Sequence, residues 1–210
     1  MNRLYSFLRT WTLRLFRLIF RWQVVGQENI PSSGGLLICA NHRSWWDPVY
    51  ITMAITRQIH FMAKEELFRV PIFGTLIRAL GAFPIKRGQG DLASIRLAMQ
   101  LLKEGKAILI FPEGTRNKTD QPVLPGQPGA AYLAIRSQAT VLPLAICRYP
   151  KGLFSPIMIK IGEGIEFKDY SSQKFSTAEL EKISNNTIMK GIERLIREAE
   201  SDASFEQRAD

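Results

Sequence analysis

A histidine and an aspartate five positions apart are the residues of this sequence best suited to acid–base chemistry. His42 and Asp47 lie in the stretch NHRSWWD, which follows the apolar run 36–40 and precedes Pro48. An apolar run of that length after two glycines predicts a buried strand. An aspartate followed by proline is typical of a helix start. One short loop is therefore expected to join the carboxyl end of a strand to a helix.

This spacing allows a general base. A carboxylate across a tight loop can accept a hydrogen bond from one ring nitrogen of the imidazole, which fixes the tautomer and leaves the other nitrogen to take a proton. The alternative is a loop histidine whose hydrogen bonds are satisfied, beside an aspartate that only caps the helix. Open α/β sheets bind ligands at the carboxyl ends of their strands, so further polar loops in such positions favour the catalytic interpretation.

Two further predicted strands, 81–85 and 107–111, end in polar loops suited to binding an anion. The residues in these loops are Lys86, Arg87, Glu113, Gly114, Thr115 and Arg116. Arginine offers phosphate a two-pronged donor, and glycine lets a backbone approach closely. Lys64, after the predicted strand 59–62, is either another anion ligand or a solvated surface lysine. Each loop alone is compatible with a solvated turn, but three such loops together indicate a site.

Composition limits the remaining possibilities. The chain has 210 residues, 46% of them hydrophobic and 22% charged, which predicts one globular domain with an appendage. Its net charge of +9 favours an anionic partner: nucleic acid, an acidic membrane or a phosphorylated substrate. Cys39 and Cys147 fall in apolar runs, where buried free thiols are expected. His60 is the only other histidine, so neither a metal centre nor a disulfide framework is expected.

The first 22 residues contain five arginines and no acidic residue among bulky apolar and aromatic side chains. On a helix, four of these arginines share one narrow face and leave a broad apolar one. No apolar run here is long enough to span a bilayer. We predict a helix lying in the membrane interface, the alternative being a helix packed on the chain's own core or on a partner. This alternation of arginine with bulky apolar residues argues for lipid and against nucleic acid.

The remaining pattern alternates helices and strands. It predicts helices at 48–55, 71–80, 92–103 and 130–137, a mobile-looking connection at 121–129, a strand at 141–146 with an edge or bulge at Pro143, a strand pair within 156–167, and a C-terminal helix opened by the capping box Ser176 to Glu179. We predict an α/β fold with a central, mostly parallel or mixed sheet flanked by helices. Residues 1–30 would form the membrane-association segment, and residues 31–210 the α/β domain.

Four segments together resemble the glycerolipid acyltransferase superfamily, and most closely the lysophosphatidic acid acyltransferases of bacteria. They are N-H-x-x-x-x-D at 41–47, G-x-x-P-I-x-R at 81–87, F-P-E-G-T-R at 111–116 and V-x-P-x-x-I at 141–146. The motif core thus covers residues 36–146. The combination of the first and third motifs is highly specific.

The resemblance implies transfer of a fatty acyl chain from acyl-CoA or acyl carrier protein to the sn-2 hydroxyl of lysophosphatidic acid, giving phosphatidic acid. It implies His42 as the general base and Asp47 as its orienting partner. It also implies that Arg87, residues 113–116 and Lys64 hold the glycerol phosphate. Another lysolipid acceptor, or hydrolysis of a lipid ester, is the alternative. We expect no cofactor beyond the acyl donor, and a peripheral or interfacial location on the cytoplasmic face of the membrane.

Attack on a thioester carbonyl builds an oxyanion, for which the loop amides of residues 41–44 are the expected donors. A covalent acyl-enzyme is the rival mechanism. Cys39 lies within a predicted strand, and Ser44 is not in a nucleophile-elbow context. The sequence therefore favours direct transfer from donor to acceptor.

Overall fold

The structure is a computed structural model that describes residues 22–85, 92–148, 156–170 and 173–202. The predicted N-terminal helix, apart from Trp22, lies outside these ranges, and so do Lys86 and Arg87. Among the helices within these ranges, none combines the length and the apolarity needed to cross a bilayer.

Seven strands form one mixed sheet, which confirms the predicted fold class. They are β1 (Trp22–Val25), β2 (Leu36–Ala40), β3 (Ile59–Lys64), β4 (Ala82–Ile85), β5 (Ala107–Ile110), β6 (Thr140–Arg148) and β7 (Ile157–Ile161). Their order across the sheet is β1-β7-β6-β2-β5-β3-β4. The five strands from β6 to β4 run parallel, β7 is antiparallel to β6, and β1 is parallel to β7.

Helices connect and cover these strands. They are α1 (Asp47–Ala54), α2 (Phe73–Ala79), α3 (Leu92–Lys103), α4 (Pro128–Ser137), α5 (Thr177–Ile183) and α6 (Lys190–Glu200), with a π-helical segment, Ser184–Met189, between the last two. Short 3-10 helices occupy Gln27–Asn29, Glu65–Arg69 and Lys168–Tyr170. The predicted capping box is confirmed, because the Ser176 and Glu179 side chains each accept a hydrogen bond from the other residue's backbone N–H.

The strand β2 shows how the core is built on both faces of the sheet. Its five residues have no exposed surface. Leu36, Ile38 and Ala40 pack in the layer that contains α1, whereas Leu37 and Cys39 pack in the layer that contains α3, α4 and α6. Alternate side chains of a strand point to opposite faces, so a strand covered on both sides reads as an unbroken apolar run.

The region around Pro143 corrects two predictions. The strand β6 is internal, so Pro143 does not mark an edge of the sheet. The predicted strand pair within 156–167 is also wrong, because β7 is followed there only by an isolated bridge between Val141 and Ile165. Between that bridge and the pair Leu144–Ile161, two residues of β6 oppose three of the neighbouring chain. Proline lacks the N–H that would continue the ladder of hydrogen bonds between the two segments. The extra residue of the neighbouring segment forms a bulge opposite β6, as predicted for this region.

Strand direction gathers the loops of interest at one side of the sheet, which we call the carboxyl edge. There the parallel strands β2, β3, β4 and β5 end at Ala40, Lys64, Ile85 and Ile110. Because β1 runs in the opposite direction, its first residue, Trp22, lies at this edge too. The loops that carry the predicted site residues therefore share one edge with the point where residues 1–21 join the domain.

Gly26→Ala tests how tightly β1 is fastened to the sheet. Gly26 has a φ of +85°, and an added Cβ would lie 2.1 Å from the carbonyl oxygen of Ile161. We expect the free energy of unfolding to fall by about 1–3 kcal/mol, measured by urea denaturation. Gly129→Ala is the matched control, because Gly129 lies within α4 with nothing within 4 Å of the added carbon. An equal loss in both variants would contradict the expectation.

Candidate active site

His42 and Asp47 form a buried, hydrogen-bonded pair. Nδ1 of His42 lies 2.9 Å from Oδ2 of Asp47, and Asp47 is only 2% exposed. The strand β2 delivers the histidine, and α1 begins at the aspartate, with Pro48 as its second residue. The N-cap of the helix is Trp46, and the printed partners of the Asp47 carboxylate are His42, Arg43 and Ser44 in the preceding loop. The histidine–aspartate contact that the sequence predicted is therefore present, and the capping alternative is not.

The same carboxylate oxygen organises the loop between the two residues. Oδ2 of Asp47 also accepts hydrogen bonds from the backbone N–H groups of Arg43 and Ser44, each at 2.7 Å. The amide of His42 donates to Oε1 of Glu113 at 2.8 Å. Carboxylates thus already occupy three of the four amides expected to act as oxyanion donors, so the expectation is wrong for residues 42–44. An oxyanion formed at the site needs donors outside residues 42–44.

Glu113 links the loops that follow β2 and β5. Besides the His42 amide, it accepts a hydrogen bond from the amide of Leu124, whose nitrogen lies 2.9 Å from Oε2. The side chain is buried, and this desolvation raises the pKa of the carboxyl, partly offset by its two backbone donors. Its predicted contact with phosphate stays a prediction, and the contacts observed here are all with the backbone.

Residues after β5 also contact His42. The ring of Phe111 stacks on that of His42, with centroids 3.9 Å apart and planes inclined by 15°. The backbone N–H of the buried Asn117 donates to the carbonyl of His42 at 2.6 Å. The histidine is thus held at its ring, its amide and its carbonyl, which leaves little freedom for its orientation.

Sequence reasoning missed two polar side chains that fix this arrangement. The guanidinium of Arg43 donates to the carbonyls of Thr119, Gln121 and Pro122, and so ties the loop after β2 to the loop after β5. Asn41 accepts from the amide of Ile146 at 2.8 Å and donates to its carbonyl at 3.0 Å, which fastens the end of β2 to β6. The available signal was that both residues flank His42 directly.

Two of the predicted cations, Arg116 and Lys64, lie within the described ranges and at the carboxyl edge. The guanidinium carbon of Arg116 lies 4.2 Å from the ring centroid of Trp45, a cation–π contact between the two loops. Thr115 and Gly114 are exposed, and Gly114 takes a φ of +69° that glycine tolerates. Lys64 is exposed at the end of β3, two strand spacings or roughly 10 Å from β2.

The connection 121–127 is held in place, contrary to the mobile connection expected from its composition. The side chain of Asn185 accepts from the amide of Gly126 at 2.8 Å and donates to its carbonyl at 3.0 Å. Asn185 lies in the π-helical segment, and a Cβ added to Gly126 would lie 2.6 Å from Cγ of Met189. The C-terminal helices thus hold the connection that contains Leu124. The Leu124 amide in turn donates a hydrogen bond to Glu113.

The thiols are poor nucleophiles, and the described residues include no cluster arranged to hold a metal ion. Cys39 and Cys147 are free and buried, as predicted. Burial raises the pKa of Cys39 far above its usual range and that of Cys147 to about 12, so both remain protonated at neutral pH. Within the described ranges, no group of three or more His, Cys, Asp or Glu side chains is arranged to hold a metal ion.

Comparison with known proteins agrees with this geometry. The family model described as "Acyltransferase" matches residues 21–147, which include all four motifs. The 1-acyl-sn-glycerol-3-phosphate acyltransferase of Bacillus subtilis is 34% identical over 154 residues, covering 71% of this chain and 76% of the relative. The protein of the same name from Streptococcus pneumoniae is 31% identical over 186 residues, covering 82% and 68%.

A solved structure shares the fold. The crystal structure of the 1-acyl-sn-glycerophosphate (LPA) acyltransferase from Thermotoga maritima matches with a TM-score of 0.70 at 28% identity, covering 91% of this chain and 79% of that one. The chain therefore belongs to the acyltransferase family, and the resemblance seen in its motifs is confirmed. It is an O-acyltransferase.

The raised pKa of Glu113 predicts how stability changes with pH. Because the folded chain binds this proton more tightly than the unfolded chain, the group adds stability as the pH falls through its raised pKa. We expect the free energy of unfolding of the wild type, relative to that of Glu113→Gln, to increase from neutral pH towards the ordinary pKa of glutamate. Urea titrations across that window measure the difference. A difference independent of pH would contradict the burial effect.

Proposed function

We propose that the protein transfers a fatty acyl chain from a thioester donor, acyl-CoA or acyl carrier protein, to the sn-2 hydroxyl of lysophosphatidic acid, forming phosphatidic acid. The observation that carries this proposal is the 2.9 Å contact between His42 and Asp47 beside the loop 111–116. The acceptor follows from the names of both curated relatives and of the solved structure. No cofactor besides the acyl donor enters the proposal.

His42 is the general base in this mechanism. Asp47 accepts the hydrogen bond from Nδ1, so the lone pair resides on Nε2, which takes the proton of the acceptor hydroxyl. The hydroxyl oxygen attacks the thioester carbonyl carbon, and collapse of the tetrahedral intermediate breaks the carbon–sulfur bond and releases the thiolate. The imidazolium then gives up its proton. The buried, protonated thiols of this chain favour direct transfer without an acyl-enzyme.

Cations at the carboxyl edge bind the phosphate of the acceptor. Arg116 is the principal ligand, because its guanidinium is held over Trp45 in the loop next to His42. Gly114 and Thr115 contribute an open backbone and a hydroxyl, and Lys64 adds positive charge at the end of β3. Lys86 and Arg87, which follow β4 in the sequence, are the further phosphate ligands of this proposal. Glu113 serves this site by positioning the loop, since its oxygens accept from the amides of His42 and Leu124.

The enzyme works at the membrane surface, as a peripheral or interfacial protein on the cytoplasmic face. Residues 1–21 form the membrane-association segment. The catalytic domain begins before the predicted residue 31, because Trp22–Val25 form β1 of its sheet. Two observations support the membrane placement. The segment contains five arginines among bulky apolar residues, and it joins the domain at Trp22, which lies at the same carboxyl edge as His42.

His42→Ala tests the base directly. Loss of the base should lower kcat by about 10²- to 10⁴-fold, because a secondary alcohol is a weak nucleophile at neutral pH. The readout is acyl transfer by purified protein in liposomes, with circular dichroism to verify the fold. His60→Gln is the matched control, since His60 is the other histidine and bonds the carbonyl of Gly81. Retained turnover in His42→Ala would refute the assignment.

The acceptor is tested with labelled oleoyl-CoA, comparing lysophosphatidic acid with lysophosphatidylcholine. We expect labelled phosphatidic acid from the first acceptor and no product from the second. Arg116→Ala should lower kcat/KM for lysophosphatidic acid by about 10- to 100-fold, as expected for loss of a charge-assisted hydrogen bond. Lys118→Ala, an exposed cation of the same loop, is the control. Product from both acceptors, or only free fatty acid, would reassign the substrate or the reaction.

A further inference from the structure

An unusual group of exposed apolar side chains lies between β3 and β4. Val70, Ile72, Phe73 and Leu76, which we call the apolar rim, are all exposed. Ile72 is the extreme case, with 86% of its surface exposed. A single exposed aliphatic residue is ordinary, but four within seven positions form a patch of the kind that marks an interaction surface.

The backbone holds Ile72 outward in a rare conformation. Its φ is +64° and its ψ is −54°, and the amide of Phe73 closes the turn on the carbonyl of Pro71 at 2.6 Å. This is a γ-turn of the kind with positive φ, which is uncommon and strained. A β-branched residue is among the least tolerant of such a conformation. Backbone strain of this kind concentrates at functional positions.

Packing on either side prevents the turn from relaxing. Gly74 brings the start of α2 against Phe68 so closely that an added Cβ would lie 2.3 Å from the Phe68 carbonyl oxygen. Phe68 and Ile77 are buried with Ala82 in a small core of their own, and the guanidinium carbon of Arg78 lies 5.2 Å from the Phe68 ring centroid. The apolar rim is therefore presented on a firmly packed base.

The surroundings of the apolar rim are those of a lipid-binding surface. The turn begins after the carboxyl end of β3, and Trp45 and Trp46, 65% and 53% exposed, lie in the loop after β2 at the same edge. Lys64, Arg69 and Arg78 are exposed in residues 64–78. Glu65 and Glu66 lie in the same stretch, and Glu65 pairs with Arg69 at 2.9 Å, so the three cations of the stretch exceed its two carboxylates by one. The segment with five arginines and no acidic residue also joins the domain at this edge. Apolar and aromatic side chains bordered by cations suit an anionic bilayer surface.

We propose that the apolar rim is a second membrane contact, in which Ile72 and its neighbours enter an anionic phospholipid bilayer. In the strand order the rim, between β3 and β4, and β1, which the N-terminal segment precedes, are at opposite ends of the sheet. Two contacts on one edge fix the tilt of the domain, and the carboxyl edge then faces the lipid. A lipid acceptor reaches His42 without leaving the bilayer surface. The proposal concerns the orientation of the domain and does not depend on which acyl acceptor the enzyme uses.

Site-specific fluorescence tests the contact in the full-length protein. The native thiols are buried, so Ile72→Cys can be labelled selectively with an environment-sensitive fluorophore. Glu163→Cys is the control, because Glu163 is exposed just after β7, at the opposite edge of the sheet. With vesicles of phosphatidylglycerol and phosphatidylcholine, we expect a blue shift and at least a twofold rise in emission at position 72 and no change at position 163.

Two outcomes of that experiment would overturn the proposal. Unchanged emission at position 72 in the presence of vesicles would mean that the apolar rim stays in water. Emission already shifted to the blue without vesicles, and unaffected by them, would mean that the N-terminal segment or a second copy of the chain covers it. Neither outcome depends on acyl transfer, so failure of the proposed reaction remains distinguishable.

Ile72→Asn separates lipid binding from a role in folding. Asparagine tolerates positive φ better than isoleucine, so we expect an unchanged or higher Tm together with about tenfold weaker partitioning into the same vesicles, measured by sedimentation. Leu97→Gln, at an exposed leucine in the middle of α3, should bind as the wild type does. A lowered Tm with unchanged partitioning would instead assign Ile72 a structural role and overturn the proposal.

Discussion

The carboxylate of Asp47 is the constraint on which the site depends. One oxygen accepts from Nδ1 of His42 and from the amides of Arg43 and Ser44, so the shape of the loop and the direction of the imidazole share a single acceptor. Glu113, in the loop after the neighbouring strand β5, acts in the same way by accepting a hydrogen bond from the His42 amide. Two buried carboxylates thus hold the base with the help of backbone donors. Because the imidazole is already oriented before the substrate binds, the reaction does not carry the entropic cost of orienting it.

Much of the fold could be predicted because its signals are local. The unbroken apolar run of β2 indicated a strand buried on both faces, and the pair Ser176 and Glu179 marked a helix start through contacts three residues apart. The contact between His42 and Asp47 was predictable for the same reason, since the two residues are only five positions apart. The acyltransferase motifs then supplied the chemistry that local pattern alone leaves open.

The missed features depend on contacts between segments far apart in sequence. Nothing near Gly126 indicates that Asn185, 59 positions away, holds its amide and carbonyl, so the connection looked mobile. The amide of His42 seemed available as an oxyanion donor because its acceptor, Glu113, is 71 positions away and is brought near only by the pairing of β2 with β5. Composition describes a segment by itself, whereas its order depends on partners that the topology supplies.

The position of β1 has a consequence for how the protein is made. Within the described sheet this strand pairs only with β7, so that Trp22 aligns with Ile157. During synthesis β1 stays unpaired until most of the chain has left the ribosome. The pairing of β1 with β7 forms late because the two strands are far apart in the sequence. The arginine-rich segment ahead of β1 is free throughout that interval. The membrane contact that we propose for this segment can then form before the sheet is complete.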